Sequence, residues 1–300
     1  LLRSAGIEKM PGEYFEEGTW SWEVFEDMCE QVVANLPGVS GLGDHFYAAG
    51  IQNFIGANGS YIFDAYGNIG FYSTAAQEVY SKWNEWYEAK ILRNFTYEVN
   101  GSSPDTWYTQ HWFRDQEVAF TSGRLQYLTG YWKDINYSIV PYPFGPNAAS
   151  ADDPDKIDES KYNLNVYTTG YFWTVPKGKD AAKMYQLLAE FYGGLKEYYT
   201  DADDLDKTLE NIALEYFDYE DETALKVLKY VQENMNFYII QSAVPSGIFR
   251  QSIREAYNKS SNWYGQMYTY LLSRRAELDP DNPNNFWKSI FGEPGNLAQA

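Results

Sequence analysis

A strand, a short turn and a capped helix follow one another between residues 166 and 191, and no other stretch narrows the fold as far. Val166-Tyr167-Thr168-Thr169-Gly170-Tyr171-Phe172-Trp173-Thr174-Val175 is dense in β-branched and aromatic residues, the composition of a strand. Pro176-Lys177-Gly178-Lys179-Asp180 turns the chain and leads into a helix whose apolar face is Met184, Leu187, Leu188 and Phe191. Strand, turn and capped helix make the half-unit of an α/β fold.

Helical spacing is clear elsewhere too. Trp22, Phe25, Met28/Cys29 and Val32/Val33 lie on one face of a segment with Thr19 or Ser21 as N-cap and Pro37-Gly38 as its stop. Cys29 on that face reads as a small buried thiol rather than a reactive one. Thr74-Ala75-Ala76-Gln77 fits a capping box, and Val79, Trp83, Trp86, Tyr87 and Ile91 mark the apolar face of a second helix; Trp22, Trp83 and Trp86 are expected in the core. Between 38 and 73 periodicity fades among glycines, with a short hairpin expected around Tyr66-Gly67-Asn68. The spacing predicts a short helix over 113–122 closed by Gly123, strands at 125–129 and 139–143, and further helices at 205–216, 223–235, 248–258 and 263–274. The acidic, small-residued stretch 146–163 reads as a solvated loop and as a domain boundary.

A chain of 300 residues carries two domains on average size. With 23 Lys+Arg against 42 Asp+Glu its formal net charge is −19, which repels phosphate backbones and anionic membranes and argues against nucleic acid as a partner. One cysteine excludes an intrachain disulfide and a cysteine-based zinc site. No apolar run approaches the roughly 18 residues of a membrane span. The opening Leu1-Leu2-Arg3-Ser4-Ala5-Gly6 is neither a signal peptide nor an initiation site, so the chain is expected to begin inside a longer product.

Enzyme signatures are missing. There is no phosphate loop, no dinucleotide fingerprint, no His-Glu-x-x-His and no Gly-x-Ser-x-Gly elbow. His45 and His111, the only two histidines, give a histidine-based catalytic or metal centre little material. Asp279-Pro280-Asp281 and Asp201-Ala202-Asp203 lack the glycine and distal glutamate of a calcium loop and read as solvated surface. The sequence therefore points to no catalytic residue, metal or cofactor. Paired carboxylates for glycoside hydrolysis stay open, because 42 acids guarantee coincidental neighbours. The five Asn-x-Ser/Thr triplets, at Asn58, Asn94, Asn100, Asn136 and Asn258, are expected by chance.

Aromatic residues make up 18% of the chain, and some cluster where helix faces do not explain them. Trp107-Tyr108, His111-Trp112-Phe113 and Tyr131-Trp132 fall at expected loops or element ends, where fixed side chains line ligand clefts. A ring beside a polar group suits a pyranose: the axial C–H face packs on the ring and the hydroxyls take hydrogen bonds. Core or edge packing explains any one of these rings equally well.

Taken in order, Thr19-Trp20-Ser21-Trp22-Glu23-Val24-Phe25, Ala119-Phe120-Thr121-Ser122-Gly123-Arg124, Gly130-Tyr131-Trp132, Val140-Pro141-Tyr142-Pro143 and Trp173-Thr174-Val175-Pro176-Lys177-Gly178-Lys179-Asp180-Ala181-Ala182-Lys183 resemble the extracellular solute-binding proteins of carbohydrate ABC transporters, of which maltose-binding proteins are familiar members. The likeness covers roughly residues 5–195 and implies a two-lobed α/β binding protein of the periplasmic-binding-protein type II class. The first lobe would be largely missing, since roughly 100 residues of such a protein have no counterpart here. Residues 1–165 would form most of the second lobe, 166–236 a less stable remnant of the first, and 237–300 a return to the second.

The resemblance implies a sugar or oligosaccharide ligand stacked on Trp132, with Tyr131, Trp112, Phe113, Asp44, His45, Tyr47 and Tyr171 around it. It further implies ABC permease subunits as partners of a monomer held outside the cell, lipid-anchored or periplasmic, and no catalysis. Three readings compete with this one: a carbohydrate-active hydrolase, a surface lectin-like module, and a binding protein for peptides or polyamines, whose positive charge the acidic surface would favour.

Overall fold

The computed structural model describes residues 1–43, 49–61, 73–93, 108–123, 132–165, 202–217 and 222–236, with isolated positions such as Gly70, Tyr127 and Gly130 between them. The strand–turn–helix unit at 166–191, the hairpin at 62–69, the strand at 125–129 and the helices beyond 236 lie outside the described residues, apart from single positions.

Helix α1 spans Pro11–Glu16 and α2 spans Trp22–Asn35. The Ser21 hydroxyl, one of the two expected caps, accepts a hydrogen bond from the Val24 N–H at 3.4 Å. Trp22, Phe25, Met28, Cys29 and Val32 then turn one face of α2 into the core. That face lies on β1 (Ser40–Gly43), where Gly41 makes close approach possible: a Cβ there would stand 2.6 Å from Cys29 Sγ.

Strand β1 is the middle of a parallel sheet, flanked by β2 (Leu92–Arg93) and β3 (Val118–Thr121). Leu42 pairs with Leu92 on one side and Phe120 on the other. Parallel neighbours need crossovers, and helices supply them. Helices α3 (Ala49–Ala57) and α4 (Thr74–Glu88) lead from β1 to β2, and α5 (Tyr108–Arg114) leads from β2 to β3. The cap of α4 is Ser73 and not the expected Thr74, which is the first helical residue: the Ser73 hydroxyl accepts from the Ala76 N–H at 3.2 Å. Val79, Tyr80, Trp83 and Trp86 form the buried face of α4, and Ile91, expected on that face, lies past the helix end at Glu88. Trp22, Trp83 and Trp86 are all core residues, packed around Phe25 and Phe54.

Two further expectations need correction. Residues 113–122 do not form one helix: α5 ends at Arg114, Gln116 adopts a φ of 60°, and Val118–Thr121 become β3. Pairing with β1 overrides the local helical spacing, and Gly123 follows a strand instead of closing a helix. Residues 139–143 are no strand either, because Pro141 and Pro143 have no N–H to give a ladder; only Phe144 bridges, to Ser21. Strand β1 and helix α3 arise inside the glycine-rich stretch where no period was visible.

Residues 146–163 form a largely exposed loop that is fastened at several points. Ala148 and Tyr162 are buried, the Ile157 N–H donates to the Gly18 carbonyl at 3.0 Å, and the Asn163 N–H donates to the Gly56 carbonyl at 3.1 Å. Strand β4 (Leu164–Asn165) follows and pairs in parallel with β5 (Met235–Asn236). Helices α6 (Ala202–Tyr216) and α7 (Glu222–Asn234) precede β5 and pack on each other. No helix among the described residues is long and apolar enough to cross a membrane.

Candidate functional site

In open parallel sheets, ligand sites form beyond the carboxyl ends of the strands. Here those ends are Gly43, Arg93 and Thr121, and the Thr121 hydroxyl donates to the Gly43 carbonyl at 3.0 Å, tying β3 to β1 at that edge. Just past β3 the chain returns through a turn in which the N–H groups of Gly130 and Trp132 both donate to the Tyr127 carbonyl, at 3.2 and 3.1 Å. The turn lays the Trp132 indole against the backbone of Gly123, where a Cβ would lie 2.6 Å from Cζ3.

Three more rings surround Trp132. Phe113 meets it at 5.1 Å between centroids, Tyr127 at 5.4 Å and Tyr137 at 5.8 Å, each edge to face. Leu209 and Ala213 of α6, Phe217 just past its end, and Ala224 and Leu228 of α7 complete the cluster, and only 5% of Trp132 is exposed. The Tyr137 hydroxyl is buried and has no hydrogen-bond partner among the described residues. Burial, and then the nearby Tyr216, push its pKa up to about 12, so it is a neutral donor at any ordinary pH.

Of the residues expected at a ligand site, Phe113 and Trp132 are thus brought into contact. Trp112, one position from Phe113 on α5, instead lies under the Arg93 guanidinium, 4.4 Å from its ring centroid, and Arg93 also pairs with Glu117 at 2.6 Å. Asp44, His45, Tyr47, Tyr131 and Tyr171 lie outside the described residues. Tyr127 and Tyr137 are additions that sequence reasoning did not make.

Among the described residues the cluster holds aromatic rings and a phenolic donor and no charged pair for acid–base chemistry. Among the described residues no three His, Cys, Asp or Glu side chains gather as metal ligands.

No protein-family model matches the sequence, and no curated protein sequence matches it. Among solved structures the chain is similar to the GacH receptor of Streptomyces glaucescens GLA.O, with a TM-score of 0.55 at 15% identity, over 93% of this chain and 67% of that one. That receptor is known unliganded and in complex with acarbose and an acarbose homologue, and has been compared with the acarbose-loaded maltose-binding protein of Salmonella typhimurium. At this identity the likeness establishes the fold, a mixed helix and strand architecture of the periplasmic-binding-protein type with a parallel sheet.

Proposed function

We propose that this chain captures a sugar or oligosaccharide outside the cell and delivers it to the permease of an ABC importer, without catalysis. The observation that carries this reading is the Trp132 nest beyond the end of β3, in a fold similar to that of an acarbose-binding receptor. Trp132 is the stacking surface, Phe113 and Tyr127 fix its plane, and the Tyr137 hydroxyl donates to a sugar hydroxyl. Tyr131, Trp112, Asp44, His45, Tyr47 and Tyr171 belong to the same site in this reading, with residues 1–165 and 237–300 as the second lobe and 166–236 as the part of the first lobe present.

Because Trp132 is 5% exposed, a pyranose reaches it only when α6 and α7 draw back. Ligand contacts on both sides then favour the closed arrangement, and the population shifts by the difference in affinity between open and closed states. An acidic surface is compatible with a neutral ligand. The protein acts as a monomer held at the outer face of the cytoplasmic membrane by a lipid anchor, or free in a periplasm.

A tryptophan-fluorescence titration with glucose, maltose, maltotriose and acarbose tests this. A saturable change is expected with at least one of them, lost in Trp132→Ala and weakened in Tyr137→Phe. Silence across the panel with a response to peptides or polyamines would overturn the ligand class, and sugar products after prolonged incubation would make the protein a hydrolase.

A further inference from the structure

An aromatic cavity lies apart from the Trp132 cluster, between α1, the 141–144 segment, the 157–162 loop and α7. Six rings line it: Phe15, Trp20, Tyr142, Phe144, Tyr162 and Tyr230. Phe15 and Tyr230 stand nearly perpendicular, 5.1 Å apart at 71°, as two walls of a box. Its volume is about 40 Å³, room for two or three waters where one needs ~10–15 Å³. That is small for a pyranose ring and suits a compact head group.

The lining has one sign of charge. Among the described residues Glu159 is the only charged one in the lining; burial, and then the Glu159 carboxylate, raise the pKa of the Tyr230 hydroxyl. The nearby lysines are engaged elsewhere: Lys156 Nζ donates to the Glu17 carbonyl at 2.6 Å, Lys161 pairs with Asp158 at 3.0 Å, and Lys226 pairs with Glu16 at 2.9 Å. Several donors that an anion would need are taken up as well. The Trp20 indole N–H donates to the Pro141 carbonyl at 2.8 Å and the Tyr162 hydroxyl to the Tyr142 carbonyl at 2.7 Å. The backbone N–H groups of Phe144 and Ile157 donate to the carbonyls of Trp20 and Gly18, both at 3.0 Å.

Electron-rich rings with a carboxylate at the mouth form an environment that attracts a methylated or quaternary ammonium, whose charge is spread over methyl groups that pack on rings. The net charge of −19 draws cations toward it. We propose that this cavity is a binding site for a small quaternary or methylated ammonium group, distinct from the sugar site and independent of it.

Calorimetric titration with choline and with its neutral isostere 3,3-dimethyl-1-butanol is the test, using the whole chain. Choline is expected to bind saturably and about tenfold more tightly than the isostere. Glu159→Gln, at an exposed loop position, should weaken choline roughly fivefold, and Tyr230→Leu should weaken it further. Trp132→Ala should leave choline binding intact, and Glu159→Gln should leave any sugar response intact, so failure here and failure of the sugar reading are separable. Equal binding of choline and the isostere, or no saturable choline binding in a protein whose thermal transition is normal, would overturn the proposal.

Discussion

The indole of Trp132 rests on the bare backbone of Gly123, nine residues earlier, so the widest ring of the nest is seated where a side chain of any size would displace it. A Cβ at 123 would stand 2.6 Å from Cζ3 and 3.2 Å from Cζ2. Gly123→Ala is therefore expected to destabilise the protein by about 1–3 kcal/mol, the range for overpacking, and to shift tryptophan emission as the ring is pushed out. In a Trp132→Leu background the same substitution should cost little. A thermal-melt comparison of the four proteins checks this, and equal losses in both backgrounds would show that the two residues do not compete for the space.

Asn58 opens an Asn-Gly-Ser triplet, yet it is fully buried and its side chain joins three parts of the chain. Its amide nitrogen donates to the Ala75 carbonyl at 2.8 Å and to Glu78 at 3.2 Å, and its oxygen accepts from the Asn147 backbone N–H at 3.1 Å. Asn58→Ala leaves buried partners unsatisfied and should lose about 1–3 kcal/mol in urea denaturation. Asn58→Asp should lose more, since it turns an oxygen toward two acceptors. Intact-mass analysis after expression in a glycosylating host should find this position unmodified.

Much of the helical layer was legible in the sequence because it is local. Ser21 sits ahead of an amphipathic run long enough to show a period, and α4 is another such run, although its cap falls at Ser73, one residue before the expected Thr74. The burial of Cys29, Trp22, Trp83 and Trp86 follows from that period alone. The sheet was not legible. Strands β1 and β3 have four residues and β2 has two, too few to display alternation, and what makes them strands is pairing with residues dozens of positions away. At the site, a resemblance pointed to Phe113 and Trp132 but could not show that their rings touch. Tyr137 touches Trp132, Phe113 and Phe217, and the last of these is 80 residues distant, a contact that no local pattern encodes.

Cys29 should be silent toward thiol reagents. Burial, and then Glu26 and Glu30, hold its pKa well above the ordinary thiol value, so neither access nor thiolate is available. Ellman's reagent at pH 8 is expected to titrate no thiol in the native protein and one per chain in guanidinium chloride. Prompt reaction of the folded protein would contradict the packing of α2 on β1.

Alkaline stability should fall in a defined window. Burial raises Tyr137 and Tyr230 from 10.0 to about 12, and pushes Tyr162 well above its usual value. An acid with a raised folded pKa contributes stability that is complete below its unfolded pKa and is lost as pH rises through the folded one. The midpoint of urea unfolding should hold to about pH 10 and drop between there and pH 12, by on the order of 1–2 kcal/mol each for Tyr137 and Tyr230, less than the full shift because solvent screens these partly buried groups. Tyr137→Phe should flatten part of that slope, and phenolate absorbance should show a late-titrating group missing from the variant.

Acid acts on the seam between α1 and α7. Glu16 accepts from the Lys226 ammonium at 2.9 Å and from the Thr223 hydroxyl at 2.8 Å, and these bonds lower its pKa below the ordinary glutamate value of 4.5. A carboxylate with a depressed folded pKa adds stability that is present above its unfolded pKa and disappears as pH falls through the folded one. The seam should therefore loosen only below about pH 4.5, and by no more than about 1 kcal/mol, because the pair is largely solvated. Hydrogen exchange of the α7 amides should rise on acidification in the native protein, while Glu16→Gln should show raised exchange at neutral pH and little further change. A variant whose acid response matched the native protein would place the titrating group elsewhere.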